Sequence, residues 1–233
     1  MDQKEMKELT GRRAVETLVK SGMKLGLGTG STAMPAVRHI GALLARGALR
    51  DILAVPTSFQ TTIECEKWGI PLFSLNSREI GGELDLTIDG ADEVDPGLYC
   101  VKGGGGALLA EKIAAYASKH YAIVVDESKL AEHLGLVFPV PVEVVPEARI
   151  PVSRALEGLG AEAVLREAVR KAGPVITEHG NIILDIRFKQ PVDPAGMEDA
   201  VNRIPGVVEN GFFTRLRPSV FVAHADGTVE IRG

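Results

Sequence analysis

The sequence predicts an α/β protein: a Rossmann-like layered domain with a mainly parallel sheet, joined to a smaller α+β domain of ferredoxin-like type. Three observations lead to this fold class. Strand-like and helix-like patterns alternate over the first 130 residues, and strands separated by helices pair in parallel through right-handed crossovers. Beyond about residue 135, prolines and β-branched runs replace that alternation. The composition, 45% apolar and 24% charged, is typical of a soluble globular protein that needs no disulfide or metal to fold.

Apolar spacing places the elements of the first domain, which we expect to span residues 1–135. In chain order they are a helix over 5–21, a strand over 23–27, a helix from Thr32, a strand over 52–55, a helix over 58–67, strands over 70–75, 84–88 and 99–101, a helix over 107–118 and a strand over 121–125. Thr32 is a plausible N-cap for the second helix. Pro35 then falls in the first turn, where a missing amide hydrogen costs little.

The second domain, expected over residues 136–211, has the element order β-α-β-β-α-β. This order comes from a strand over 141–145, a helix over 151–159, the two strands of a hairpin over 174–188 that turns at 178–181, a helix over 194–204 and a strand over 207–213. The spacing over 161–169 permits either a helix or a strand, and we favour the strand. The last segment, 212–233, contains a hairpin that is expected to return to the first domain.

Charge and cysteine content exclude several classes of function. Lys and Arg total 26 against 31 Asp and Glu, a formal charge of −5, which argues against a nucleic-acid face but leaves a local phosphate pocket open. No apolar run approaches the roughly 20 residues of a membrane helix. Cys65 and Cys100 form no C-x-x-C motif, and the histidines lack ligand spacing. We therefore expect a reduced, cytoplasmic protein without a metal.

A glycine-rich turn follows the first strand and carries Thr29, Gly30, Ser31 and Thr32 after Gly28. Glycines let the backbone approach a ligand, and the amide hydrogens at a helix start attract anions. The turn is not a Walker A loop, because no Gly-Lys-Ser/Thr follows at the right spacing, and it is not a dinucleotide fingerprint, because Ser31 stands where the third glycine belongs. A phosphate cradle is favoured over a simple strand-to-helix turn.

An acidic motif, Asp89-Gly90-Ala91-Asp92-Glu93, follows an apolar strand. Ligands of open α/β sheets gather at the carboxyl ends of strands, where carboxylates transfer protons or bind sugar hydroxyls. A magnesium site and a solvated acidic turn are the alternatives.

A run of glycines, Lys102-Gly103-Gly104-Gly105-Gly106, lies between a strand and a helix. A flexible linker is costly within one domain, so a backbone nest that wraps an oxyanion beside the Lys102 charge explains the run better.

Further charged residues lie near the same edge of the predicted sheet. Glu111, in the first turns of the next helix, shares a face with Leu108 and Ala115, and the helix start favours its ionised form. Its neighbour Lys112 fits a solvated position. Lys129 follows the strand that stops at 125.

Thr57 and Ser58 complete a fifth polar loop. Five successive strand-to-helix loops with such groups predict a binding cleft.

These motifs, in this order, resemble type A ribose-5-phosphate isomerase. The resemblance covers nearly the whole chain and includes 138–144 and 204–208, whereas the stretch 56–59 varies within that family. It implies the reversible conversion of D-ribose 5-phosphate to D-ribulose 5-phosphate in the non-oxidative pentose phosphate pathway, with no cofactor and with a homodimer or a dimer of dimers as the assembly.

The resemblance also implies residue roles, with residues 1–135 as the catalytic domain. Glu111 is the base that moves the C2 proton to C1, Asp89 assists ring opening, and Lys102 with the glycine amides steadies the enediolate. The remaining substrate-binding residues are Thr29, Gly30, Ser31, Thr32, Gly90, Ala91, Asp92, Gly103, Gly104, Gly105 and Lys129.

Two other functions remain open from the residues alone. One is a sugar-phosphate sensor, although only about 22 residues precede the first strand, too few for a helix-turn-helix module. The other is a nicotinamide-dependent dehydrogenase, against which the missing third glycine speaks.

Overall fold

The computed structural model describes residues 1–233 and divides them into two units, each discontinuous in sequence. Unit 1 consists of Met1–Ala91, Ala110–Lys129 and Leu216–Gly233. Unit 2 consists of Asp92–Leu109 and Leu130–Arg215. The chain therefore leaves unit 1 directly after Ala91 and returns to it early in a helix.

The chain forms six helices and thirteen strands. In order they are α1 Gln3–Leu18, β1 Lys24–Leu27, α2 Gly30–Ala45, β2 Leu53–Pro56, α3 Phe59–Lys67, β3 Leu84–Gly90, β4 Glu93–Val94, β5 Cys100–Val101, α4 Leu108–Tyr116, β6 Ser118–Asp126, β7 Val140–Val144, α5 Arg149–Gly158, β8 Ala161–Leu165, β9 Ile182–Phe188, α6 Pro194–Asn202, β10 Val207–Asn210, β11 Phe212–Phe213, β12 Ser219–Ala223 and β13 Val229–Arg232. Short 3₁₀ turns lie at Glu127–Lys129 and Pro146–Ala148.

Unit 1 is built on a six-stranded sheet with the order β13-β12-β6-β3-β1-β2. Every neighbouring pair is parallel except the final hairpin of β12 and β13. This confirms the predicted mainly parallel sheet. The hairpin of β12 and β13 lies in that sheet, whereas residues 212–215 of the predicted returning segment belong to unit 2. The strands are buried against helices, as parallel sheets require, and their carboxyl ends share one edge.

Helices α1 and α2 pack closely at a glycine. A Cβ atom on Gly11 would lie 2.9 Å from the backbone nitrogen of Ala36 and 3.0 Å from Cβ of Pro35. The predicted start of α2 is wrong: Thr29, not Thr32, is the N-cap, and Pro35 lies inside the helix rather than in its first turn. The positive φ of Gly30, 87°, lets the chain turn into the helix early.

Unit 2 contains a four-stranded antiparallel sheet with the order β10-β7-β9-β8. The chain order β7-α5-β8-β9-α6-β10 confirms the predicted ferredoxin-like arrangement, and the favoured strand over 161–169 forms as β8. Apolar side chains from β7, β9, α5 and α6 make one core. A separate three-stranded sheet has the order β11-β5-β4.

Three predicted elements differ from the structure. The strand over 70–75 is reduced to a single bridge between Leu72 and Ala54, in a segment interrupted by Pro71. The first arm of the hairpin over 174–188 forms only isolated bridges, although its turn closes where the Thr177 amide donates to Asn181. The strand over 207–213 breaks at Gly211 and joins two different sheets.

The chain shows no helix with the length and apolar character needed to cross a bilayer. It also brings together no group of three or more His, Cys, Asp or Glu side chains that could hold a metal ion.

Both thiols are predicted to be unreactive in the native protein. Cys65 and Cys100 are fully buried and form no disulfide, and burial raises the pKa of the Cys65 thiol to about 12, so almost no thiolate exists at neutral pH. Ellman's reagent at pH 8 should label neither thiol until the chain is unfolded, when it should label both. Asn76→Cys, at an exposed position, is the reactive control. Fast labelling of the native wild type would contradict the packing of these residues.

Candidate active site

The glycine turn after β1 and the acidic motif at the end of β3 form one structure. A Cβ atom on Gly28 would lie 2.0 Å from Oδ1 of Asp89 and 2.7 Å from its Cα, so only glycine fits there. The fully buried Asp89 carboxylate accepts from the amide of Thr29 at 3.1 Å and from that of Gly90 at 2.7 Å. Asp89 is the second-last residue of β3 itself, one position inside the strand rather than after it.

A cluster of hydroxyl groups connects this turn to the end of β2. The Thr29 hydroxyl lies 2.8 Å from that of Thr57 and donates to Ser58 Oγ at 2.7 Å. Thr61, on α3, donates to the carbonyl of Gly28 at 2.8 Å. Because its hydroxyl is used in this cluster, Thr29 makes no side-chain cap on α2. Three successive strand ends, those of β1, β2 and β3, thus carry one polar network.

The start of α2 faces a cationic cavity that sequence reasoning missed. Lys7, on α1, donates to the exposed Ser31 hydroxyl at 3.0 Å. The cavity, about 400 Å³, is also lined by Lys4, Glu8 and Arg38, and the Arg38 guanidinium is paired with Glu64. Lys7 is therefore the cation that the structure places in contact with the start of α2. Lys7 carries no sequence signal, because a lysine on the polar face of a first helix looks like any solvated residue.

Glu111 lies in the first turn of α4 and is only 4% exposed, which agrees with the face that it shares with the fully buried Leu108 and Ala115. The helix is joined to β3 because the carbonyl of Ala114 accepts from the Thr87 hydroxyl at 3.2 Å; the same carbonyl accepts from Ser118, the first residue of β6, at 2.7 Å. Thr87 and Asp89 share one face of β3. The hydrogen bond from Thr87 places α4 over this face of β3, and Glu111 precedes Ala114 by three residues, about one turn nearer the start of α4.

Lys112 corrects the prediction of a solvated side chain. It is 3% exposed, and its Nζ lies 5.9 Å from the ring centroid of Tyr116, one turn further along α4. A lysine can be buried in this way because its stem is apolar and an aromatic face attracts its charge.

The loop after β6 is organised by a buried carboxylate. Asp126 accepts from the Ser128 amide at 3.1 Å and from the Ser128 hydroxyl, while Gln3 donates to its other oxygen at 3.3 Å. This arrangement holds the 3₁₀ turn that carries Lys129 at the carboxyl edge of the large sheet.

One of the five loops predicted at this edge, Lys102–Gly106, belongs to a different sheet. Lys102–Gly106 follows β5, which pairs antiparallel with β4 and β11 in unit 2 and takes no part in the six-stranded sheet. Because β5 has only two residues, its apolar pattern does not indicate which strand pairs with it. Lys102 is 2% exposed, with Nζ 5.5 Å from the Phe213 ring centroid.

The glycine run forms a fixed turn rather than a linker. Gly103 and Gly106 have φ values of 102° and 82°, and the Gly106 amide donates to the Gly103 carbonyl at 2.9 Å. Asp92 accepts from the Gly104 amide at 2.8 Å. Arg166, which no sequence motif indicates, donates to the carbonyls of Gly103 and Gly104.

Glu93, the last residue of the acidic motif, is an organising residue in unit 2. Its two carboxylate oxygens accept from the amides of Gly135 and Phe138, each at 2.8 Å. The ring of Phe138 lies against Gly104, where a Cβ atom would be 3.0 Å from it. The motif is thus divided: Asp89 belongs to unit 1, whereas Asp92 and Glu93 belong to unit 2.

A parallel α/β unit with a glycine turn at a helix start and buried carboxylates at its strand ends is typical of enzymes that act on phosphorylated small molecules. Residues 53–227 match the family described as Ribose 5-phosphate isomerase A (phosphoriboisomerase A), and the chain belongs to this family. These enzymes interconvert ribose 5-phosphate and ribulose 5-phosphate in the pentose phosphate pathway. The membership confirms the resemblance seen in the motifs and decides against the sensor and the dehydrogenase.

Relatives and solved structures agree over the whole chain. Ribose-5-phosphate isomerase A of Treponema denticola is 53% identical over 99% of both chains, and that of Treponema pallidum is 57% identical over 100% of this chain and 94% of its own. A D-ribose-5-phosphate isomerase solved in complex with phospho-erythronic acid has a TM-score of 0.95 at 40% identity, covering 100% and 99% of the two chains. The Methanocaldococcus jannaschii enzyme has a TM-score of 0.92 at 42% identity, covering 99% of each.

Proposed function

We propose that the protein interconverts D-ribose 5-phosphate and D-ribulose 5-phosphate by moving one proton between C2 and C1 through an enediolate, with Glu111 as the base. The observation that carries this assignment is the burial of the Glu111 carboxylate at the start of α4, on the face of β3 that presents Asp89. A carboxylate shielded from water and held by a rigid helix is suited to repeated proton transfer at one position.

The proton transfer conserves atoms and charge. Glu111 removes the proton from C2 of the open-chain aldose, the C1–C2 double bond forms, and negative charge develops on O1. Glu111 then delivers the proton to C1 while the O2 hydroxyl proton is lost and O1 is protonated. Lys102 and the amides of the glycine turn Gly103–Gly105 are proposed to stabilise the charge on the enediolate oxygens.

Asp89 is proposed to assist ring opening, because the substrate is cyclic in solution and a carboxylate can exchange a proton with the ring oxygen and the anomeric hydroxyl. Asp92, half-buried beside the glycine turn, is proposed to accept from a sugar hydroxyl, with Gly90 and Ala91 completing the contact.

The turn Thr29–Thr32 is proposed to bind the phosphate, together with Lys7 and Lys129. Amide hydrogens at the start of α2, the Ser31 hydroxyl and the Lys7 ammonium group provide the donors that a phosphate requires. The complex of the solved relative with phospho-erythronic acid supports a site for a phosphorylated sugar acid.

The predicted domain boundaries, cellular location and assembly remain proposals. We propose that residues 1–135 with 212–233 form the catalytic domain and 136–211 the small domain, although the structure groups 92–109, 130–135 and 212–215 with unit 2. We propose a cytoplasmic location, which agrees with two cysteines that form no disulfide.

We propose a homodimer or a dimer of dimers, and predict a mass in solution that is two or four times the 24.8 kDa of one chain. β8 is an edge strand with Val164 57% exposed, and Ile176 is 49% exposed. Apolar groups on a free edge invite self-association. Gel filtration with light scattering at micromolar concentration measures the mass. A single-chain mass would refute the oligomer.

Replacing Glu111 by Gln should lower kcat by about 100- to 10,000-fold, because the amide keeps the volume and loses the basicity. Ketose formation from ribose 5-phosphate measures this. Glu66→Gln, at an exposed position on α3, is the control and should leave kcat unchanged. Near-normal turnover of Glu111→Gln would show that another group is the base.

Replacing Lys7 by Gln should raise KM for ribose 5-phosphate by about 10-fold or more with a smaller change in kcat, because a charge-assisted contact with phosphate is lost. Lys20→Gln removes the same charge from an exposed position and serves as the control. Steady-state kinetics at fixed ionic strength separate the two parameters. An unchanged KM would exclude Lys7 from the phosphate site.

A further inference from the structure

We propose that Arg166 is a positioning residue for the isomerisation, which it serves by fixing the peptide that presents the amide of Gly105. The inference rests on the proposed function, in which the glycine turn stabilises the enediolate. It adds a specific donor to that function and a residue, distant in sequence, that orients it.

One nitrogen of the Arg166 guanidinium group binds the glycine turn. Its Nη1 donates to the carbonyls of Gly103, at 3.0 Å, and Gly104, at 3.1 Å. Its Nε and Nη2 donate to the two oxygens of Asp185 at 2.8 and 2.5 Å. A planar guanidinium held by a bidentate carboxylate has little freedom left, so both carbonyls are held in defined directions.

The direction of these carbonyls decides where the amide hydrogens point. In a trans peptide the N–H lies opposite the C=O of the same unit. The Gly104 N–H, opposite the Gly103 carbonyl, is already donated to Asp92. The Gly105 N–H, opposite the Gly104 carbonyl, makes no hydrogen bond within the chain and lies at an exposed position. Of these two amides, that of Gly105 is available to an oxyanion.

The glycine turn needs the contact with Arg166 because glycine favours no single backbone conformation. Gly104 and Gly105 are both exposed, and neither has a side chain to anchor it. An amide that rotates freely would have to be ordered in every transition state, at a cost in backbone entropy. Arg166 and Asp185, 16% and 20% exposed, provide this order in advance and are partly shielded from competing water.

Lysine cannot replace the arginine in this arrangement. The contact requires donors at two edges of one rigid planar group. One edge binds a carboxylate, and the other binds two consecutive carbonyls. An ammonium group is a single point charge on a flexible stem, so it can reach one of these partners without holding the other. Arg166→Lys therefore tests orientation with the charge retained.

The experiment compares Arg166→Gln, Arg166→Lys and Asp185→Asn with Arg187→Gln, an exposed control on β9. We expect Arg166→Gln to lower kcat by about 10- to 100-fold, since small misplacements of a catalytic group cost up to about 100-fold. KM should change by less than about threefold, because the phosphate contacts are untouched. Arg166→Lys and Asp185→Asn should show smaller losses of kcat, and Arg187→Gln none.

Binding of phospho-erythronic acid, measured by calorimetry, separates positioning from mere stabilisation. Its carboxylate is a planar oxyanion like the enediolate, so its affinity should fall in parallel with kcat in the Arg166 variants. Unchanged kcat in folded Arg166→Gln would overturn the proposal. So would a loss of kcat with unchanged affinity for phospho-erythronic acid. If Arg166→Gln does not fold, Arg166→Lys and Asp185→Asn carry the same test.

The two hypotheses fail separately. Normal turnover of Glu111→Gln overturns the proposed base, whatever the Arg166 variants show. Loss of turnover in Glu111→Gln with normal turnover in both Arg166 variants overturns only the positioning role.

Discussion

The close approach of Gly28 to Asp89 is the constraint on which the large unit depends. β1 and β3 are parallel neighbours with Leu27 opposite Ile88, so the next residues of both strands meet at the sheet edge. A buried carboxylate must receive hydrogen bonds, and here it takes them from the backbone of the same edge, at Thr29 and Gly90. Any side chain at residue 28 would push these strand ends apart. The glycine therefore allows both the packing and the burial of the charge.

In unit 2, side chains rather than a close backbone approach hold the glycine turn in place. Its glycine turn has almost no side chains of its own, so the side chains of other segments hold it. Asp92 fixes one amide, Arg166 fixes two carbonyls, and Phe138 covers the surface of Gly104. Phe138 is in turn held by Glu93 through its amide. A flexible sequence thus becomes a rigid donor array only through contacts with residues far along the chain.

Much of the fold could be predicted because its elements are local patterns. The alternation of strand and helix in the first half, the final hairpin and the β-α-β-β-α-β order all agree with the structure. The strand predictions were wrong where the local apolar pattern differs from the strand pairing in the folded protein. The segment 70–75 is apolar enough for a strand but makes a single bridge, and Gly211 divides what looks like one strand between two sheets. Lys112 looks like a solvated lysine and is buried over Tyr116.

The sequence by itself determined the fold class, the family and the candidate site residues. Each of these residues belongs to a short local motif of glycine, hydroxyl or carboxylate groups at the end of a strand, and such a motif can be recognised without the rest of the fold. Only the tertiary structure decided which of these groups are connected. It assigned β5 and its glycine turn to a separate sheet, placed Lys7 beside Ser31, and brought Arg166 to the carbonyls of Gly103 and Gly104. The contacts of Lys7 and Arg166 join residues that lie 24 to 63 positions apart. Strand pairing and packing across the whole chain set such distances, and no local pattern contains them.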